Sequence, residues 1–168
     1  WDDPIPSDQR EEWVKFFCEV LQMEDVMFHR SIKPPQAEGE PTLVLFSDGS
    51  EEAFGTCAYA RWKTTEGKFA SRLIAAKTRV APLKRMTIVR VELSGALLAA
   101  RLATFLKREM KLNFETTFFI VDSEVVRAMI QKESYGFSTF VAVRVGEIQE
   151  HTDPAQWYWV EGRKNAAD

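Results

Sequence analysis

The stretch from Val91 to Lys111 contains no proline and sets Leu93, Leu97, Ala100, Ala103 and Leu106 along one face, which predicts one long helix. The small side chains of Ala100 and Ala103 let that face pack closely, as a helix lying on a sheet must. Strand-like runs stand on both sides of it. Thr42-Leu43-Val44-Leu45-Phe46 is short, apolar and rich in β-formers, as a strand buried on both faces would be. Thr56–Lys63 and Lys68–Lys77 read as two further strands, joined as a hairpin around Thr65-Glu66-Gly67. Beyond the long helix come a strand at Thr116–Val121, a helix at Ser123–Gln131, a helix at Ser138–Gln149 and a last strand at Trp157–Val160. The first three strands can follow one another as a meander, whereas the later two need crossovers. The order therefore predicts an α/β domain, a mixed five-stranded sheet flanked by helices.

Ahead of the domain, Asp8–Gln22 places Trp13, Phe16, Phe17, Val20 and Leu21 at amphipathic spacing, with Asp8 expected as N-cap and Glu11 three residues on. Between Ile32 and Pro41, Lys33-Pro34-Pro35 and Glu38-Gly39-Glu40-Pro41 read as a linker. The expected division is residues 1–41, a connection segment with a docking helix, and residues 42–168, the α/β domain. A chain of 168 residues, 45% of them hydrophobic, can bury one sizeable core. A net charge of -3 argues against a surface that grips nucleic acid all over, but leaves room for a local basic stripe. Cys18 and Cys57 lie far apart without metal-type spacing, so two reduced thiols in an intracellular protein are expected. No apolar run approaches the roughly 18 to 20 residues of a membrane helix, and the start Trp1-Asp2-Asp3 is unlike a signal peptide. The absence of an initial Met and the end at Asp168 read as a piece of a longer polypeptide.

Four acids stand at conspicuous positions: Asp48 after the first strand, Glu92 in the first turn of the long helix, Asp122 ending the fourth strand, and Asp168 closing the sequence. Each of the first three has an ordinary reading, as a turn residue, a favourable charge at a helix start, and an N-cap. Their joint placement is less ordinary, because parallel neighbouring strands carry such ends to one edge. Crowded carboxylates stay ionised mainly when a cation holds them, and oxygen donors select Mg²⁺ or Mn²⁺ over zinc. Between Glu66 and Glu92 the cations Lys68, Arg72, Lys77, Arg79, Lys84, Arg85 and Arg90 run without an intervening acid. They form either an electropositive approach to the acids or a solvated face. His29 and His151 lack acidic or nucleophilic company and are expected at the surface or in structural roles, while Trp157 and Trp159 are expected in the core.

The ordered set Phe46-Ser47-Asp48-Gly49-Ser50, Val91-Glu92-Leu93, Val121-Asp122-Ser123 and Asn165-Ala166-Ala167-Asp168 resembles the Asp-Glu-Asp-Asp signature of the ribonuclease H family. More closely, Trp1-Asp2-Asp3-Pro4-Ile5-Pro6, Lys77-Thr78-Arg79-Val80-Ala81-Pro82-Leu83-Lys84, Val145-Gly146-Glu147-Ile148-Gln149-Glu150 and Thr152-Asp153-Pro154-Ala155-Gln156-Trp157 resemble BEL/Pao LTR retrotransposon polyproteins. The resemblance runs over nearly the whole chain. It implies a ribonuclease H-like fold with an N-terminal connection helix, and a reverse-transcriptase-associated endonuclease cutting the RNA strand of RNA–DNA hybrids. Asp48, Glu92 and Asp122 would bind two Mg²⁺ ions, for which Mn²⁺ could substitute, with Asp168 as a peripheral fourth ligand. Cleavage would leave 5′-phosphate and 3′-hydroxyl ends. Ser50, Lys77, Arg79, Lys84, Arg85, Arg90, Ser94 and Ser123 are the candidate contacts to the hybrid.

The implied partners are that hybrid and the polymerase and connection regions of the same polyprotein, with no membrane. The implied setting is cytoplasmic, in virus-like particles where the element is active. Many members carry a histidine in the loop before the last acid, but Val160-Glu161-Gly162-Arg163-Lys164 has none. Two other readings remain open: a catalytically silent nucleic-acid- or protein-binding module, and a related DNA nuclease or strand-transfer enzyme.

Overall fold

The computed structural model describes residues 4–27 and 30–168. The start Trp1-Asp2-Asp3 and the expectation for His29 lie outside the described residues. The chain forms two compact units, residues 1–31 and 32–168.

The first unit holds α1, Ser7–Leu21, continued by a short 3-10 turn at Gln22–Asp25. Pro6, not Asp8, occupies the N-cap, and Asp8 lies inside the first turn. Pro6 sits in an extended conformation that its ring favours, and its carbonyl accepts from Arg10 N–H at 2.9 Å, so the helix starts before Asp8. Trp13, Phe16 and Phe17 cluster on α1 with ring centroids 5.6 to 5.9 Å apart, and none of the three is buried.

The second unit is built on β1 (Ala37–Gly49), β2 (Ala53–Thr64), β3 (Phe69–Val80), β4 (Thr116–Val121) and β5 (Trp157–Trp159). Its helices are α2 (Ile88–Glu109), α3 (Glu124–Ile130) and α4 (Thr139–His151). The sheet order is β3-β2-β1-β4-β5; β1 runs antiparallel to β2 and parallel to β4, and β5 is parallel to β4. This is the mixed sheet expected from the element order. One correction concerns the start of β1, which begins at Ala37 inside the expected linker. Ala37 and Glu38 pair with Thr64 and Lys63, and the register then slips before Thr42. Gly39, at φ +62, makes that irregularity possible, and Pro41 fits there because its missing N–H falls where the ladder is already interrupted.

Alternation along the strands separates two faces. Leu43, Leu45, Ala58, Phe119, Val121 and Trp157 turn inward and are buried with Leu93, Ala96 and Ala100 of α2, Val126 and Ile130 of α3, and Val145 and Ile148 of α4. Trp157 stacks on Phe119 at 4.5 Å, and its indole N–H donates to the Thr152 hydroxyl at 2.9 Å, so a large side chain is buried with its polar atom satisfied. On the other face Val44, Phe46, Tyr59, Phe118, Ile120 and Tyr158 line an open groove of about 750 Å³. Cys18 is exposed and Cys57 buried, both as free thiols. Among the described residues no helix is long and apolar enough to cross a membrane.

Candidate active site

Parallel pairing of β1 and β4 sets the first part of the site. Ser47 lies opposite Val121, so Asp48 on β1 and Asp122, the first residue beyond β4, are carried to the same end of the sheet, where Asp122 acts on Asp48 through its charge. Asp48 lies within β1, opposite Gly55 on β2, and not after the strand as the sequence suggests. Glu92 arrives from α2. The helix begins at Ile88 with Thr87 as its N-cap residue, and the Thr87 carbonyl accepts from Arg90 and Val91, so Glu92 is in the second turn and not the first.

Two glycines make the meeting of β1 and α2 possible. A Cβ on Gly49 would come within 2.8 Å of the Glu92 nitrogen, and one on Gly95 within 2.6 Å of the Asp48 carbonyl oxygen. No ordinary contact is that short, so only a backbone without side chains brings Glu92 alongside Asp48.

The last acid is delivered by the chain's closing segment. Val160 N–H donates to the Val121 carbonyl, and a 3-10 turn at Gly162–Lys164 leads to Asn165, which is buried. The Asn165 amide donates to the Ser47 carbonyl at 3.0 Å, and its oxygen accepts from Ala167 N–H at 3.2 Å. This clamp fastens the segment to β1 one residue before Asp48. Asp168 and Asp122 both turn toward Gly162, their Oδ2 atoms 3.6 and 3.7 Å from where a Cβ would stand. Asn165 has no role in the sequence reading; its only signal there is a lone amide among small residues before the last acid.

Electrostatics record the crowding. Burial pushes Asp48 above the usual carboxylate range; the Gly49 backbone hydrogen bond counters it, and repulsion from Asp122 and Asp168 adds to it. Burial likewise raises Glu92, against a hydrogen bond with Ser123 and with repulsion from Asp122 and Asp48. No basic side chain is among the groups that shift either acid. The site thus concentrates uncompensated oxygen donors, a donor set that suits a hard divalent cation. Among the described residues no three acids already stand in positions to ligate a common ion, so binding would need side-chain adjustment.

Asp122 is not the N-cap of α3. Ser123 is, its hydroxyl accepting from Val126 N–H at 3.4 Å, while the Asp122 carbonyl accepts from the Trp159 indole at 2.9 Å. Of the other candidates, Ser50 shapes the β1–β2 turn by accepting from Ala53 N–H at 3.2 Å. Lys77 and Arg79 are exposed on the edge strand β3, and Lys84 and Arg85 are exposed in the loop after it. Arg90 lies 5.0 Å from the Phe140 ring, and buried Ser94 donates to the Arg90 carbonyl at 2.8 Å.

A family model described as the Pao retrotransposon-like RNaseH-like domain matches residues 1–123, a span that includes Asp48, Glu92 and Asp122. No curated protein matches the chain. Among solved structures, the N-terminal RNase H domain of a Mycobacterium tuberculosis protein is similar at 15% identity and a TM-score of 0.52, covering 75% of this chain and 86% of that one. LC11-RNase H1 in complex with RNA/DNA hybrid is 12% identical over 76% of this chain and 89% of that one, with a TM-score of 0.47. The RNase H domain of prototype foamy virus is 13% identical over 75% and 81%, with a TM-score of 0.46. The mycobacterial likeness shows the fold.

Proposed function

The chain belongs to the family of Pao retrotransposon-like RNaseH-like domains, and from that premise we propose that it is an endonuclease that cuts the RNA strand of RNA–DNA hybrids during reverse transcription. The observation that carries the reading is the gathering of Asp48 and Asp122 at the shared end of β1 and β4, with Glu92 drawn in by the contacts at Gly49 and Gly95 and each acid felt by its neighbours.

Asp48, Glu92 and Asp122 would hold divalent cations of the Mg²⁺ or Mn²⁺ type, with Asp168 at the edge of the set. Such ions, when bound, supply a lowered pKa for the attacking water and charge stabilisation at the leaving 3′ oxygen. The protein's own part is positional. Asn165 fixes the segment that carries Asp168, and Ser123 and the Trp159 indole hold the turn that carries Asp122. The exposed cations Lys77, Arg79, Lys84 and Arg85 would meet phosphates, and contact with 2′-hydroxyls across a shallow minor groove would separate RNA from DNA with little base preference. The polymerase and connection regions of one polyprotein are the expected partners in that setting.

The test is cleavage of labelled hybrid, duplex DNA and duplex RNA side by side in Mg²⁺, with Asp48→Asn alongside. The parent is expected to cut only the RNA strand of the hybrid, and the variant to fall to background. Equal cutting by both would remove the acids from the mechanism. A second reading, a binding module that does not cleave, draws on the fact that among the described residues no three acids stand in ligating positions. Tight hybrid binding without cutting would favour it.

A further inference from the structure

Away from the acids, α2, α4 and the β2–β3 hairpin enclose a small recess of about 140 Å³ that includes Arg79, Arg101 and Arg144 over Leu97 and Leu98. Three arginines line it, and two of them, Arg101 and Arg144, lie close enough to act on one another electrostatically. Glu147 hydrogen-bonds Arg101, through bonds of 2.6 and 2.9 Å to its Nε and Nη2, which leaves the other Arg101 nitrogen, Nη1, outside that pair; Arg144 feels Glu147 only through charge. Arg144 lies 3.5 Å from the Phe140 ring and donates from Nη1 to the Phe140 carbonyl at 3.1 Å. Its Nε is fully buried and, among the described residues, has no acceptor. Arg79 has no carboxylate in ion-pair range among the described residues. The Ser94 hydroxyl at the recess is spent on the Arg90 carbonyl, so the donors on offer are the guanidinium groups.

Three arginines lining one recess, with the Glu147 carboxylate hydrogen-bonded to Arg101 alone, leave cationic charge that an oxyanion would balance. Arginine forks also match the planar pairs of oxygens on phosphate. Burial first, and then the neighbouring charge of Arg101, lower the Arg144 pKa; Glu147 pulls the other way, and Arg90 adds a smaller push down.

We propose that this recess is an oxyanion site that takes one phosphate group between Arg79, Arg101 and Arg144. Ser94 and Arg101 lie two and nine residues beyond Glu92 on α2, roughly 3 to 14 Å along the axis at 1.5 Å per residue. A nucleic-acid strand passing the acids could therefore place a backbone phosphate in the recess. A free phosphate-bearing molecule offers the same chemistry.

The experiment has two arms. In the first, inorganic phosphate replaces chloride at constant ionic strength while thermal unfolding is followed for the parent, Arg144→Gln and Arg79→Gln. The expected result is a Tm that climbs with the logarithm of phosphate in the parent and a weaker response in both variants. The Arg79 position is exposed on an edge strand, so its variant keeps the test valid if Arg144→Gln unfolds. No phosphate response in the parent, or the same response in all three, would overturn the proposal.

The second arm, which alone rests on the nuclease reading, measures hybrid affinity against salt for the same proteins. If the occupant is a backbone phosphate, each variant should lower the slope of log K on log salt by about 0.9. An unchanged slope beside a positive first arm assigns the recess to a free phosphate-bearing molecule.

Discussion

The centre of the sheet and its acidic end are made by the same strands on opposite terms. At the centre Leu43, Leu45 and Phe119 are almost wholly buried with apolar side chains of α2, α3 and α4, where removal from water stabilises every contact. Three residues beyond Leu45 and Phe119 come Asp48 and Asp122, with Glu92 arriving from α2, and for Asp48 and Glu92 burial first, then repulsion from the neighbouring acids, opposes ionisation. The end is held in place by the centre, by two glycine contacts and by the Asn165 and Trp159 hydrogen bonds, not by attraction between the acids themselves. Chemistry-bearing groups collect where the local electrostatics are unfavourable and the backbone is over-determined.

That contrast can be broken from either side. Trp157→Ala strikes the centre, removing a fully buried ring stacked on Phe119, and is expected to lower stability by about 3–5 kcal/mol in urea unfolding. A loss within the scatter of surface substitutions would mean that β5 is not part of the core. Asn165→Ala strikes the junction, leaving the Ser47 carbonyl without its side-chain donor, and should cost about 1–3 kcal/mol. Its cutting of hybrid should fall by more than the lost folded fraction explains, and cleavage that merely tracks stability would reduce Asn165 to a structural residue.

The smallest effect is on pH dependence and sharpens the comparison at the acidic end. In the presence of a chelator, folded Asp48 and Glu92 keep their protons to higher pH than the unfolded chain does. The folded state therefore binds more protons from about pH 4 upward through their raised pKa values, and stability falls as pH rises across that window. Asp48→Asn should flatten the fall, measured as Tm against pH. An unchanged profile would show that the acids do not strain the fold.

The sequence makes the centre far more legible than the end. Runs such as Thr42–Phe46 and Thr116–Val121 announce strands because β-propensity and burial agree there, and the alanine-lined face of α2 announces the layer that covers them. Element boundaries are less legible. β1 extends back to Ala37 through Gly39 and Pro41, because a register slip accommodates residues that ordinarily break a strand. Glu92 sits a turn deeper than its sequence position suggests, since Thr87 starts the helix early. The four acids can be picked out by their place at element ends, but the means that assemble them cannot. The Asn165 clamp and the close passage of the Asp48 carbonyl by Gly95 depend on contacts between segments far apart in sequence, to which local pattern is blind.

The most direct test is a Mn²⁺ titration of thermal stability for the parent chain and Asp48→Asn. A cation that binds the folded acids must raise the Tm of the parent with the logarithm of its concentration. The account predicts that rise in the parent and little of it in the variant. A parent insensitive to Mn²⁺, or a variant stabilised to the same extent, would contradict the claim that Asp48, Glu92, Asp122 and Asp168 form a cation site.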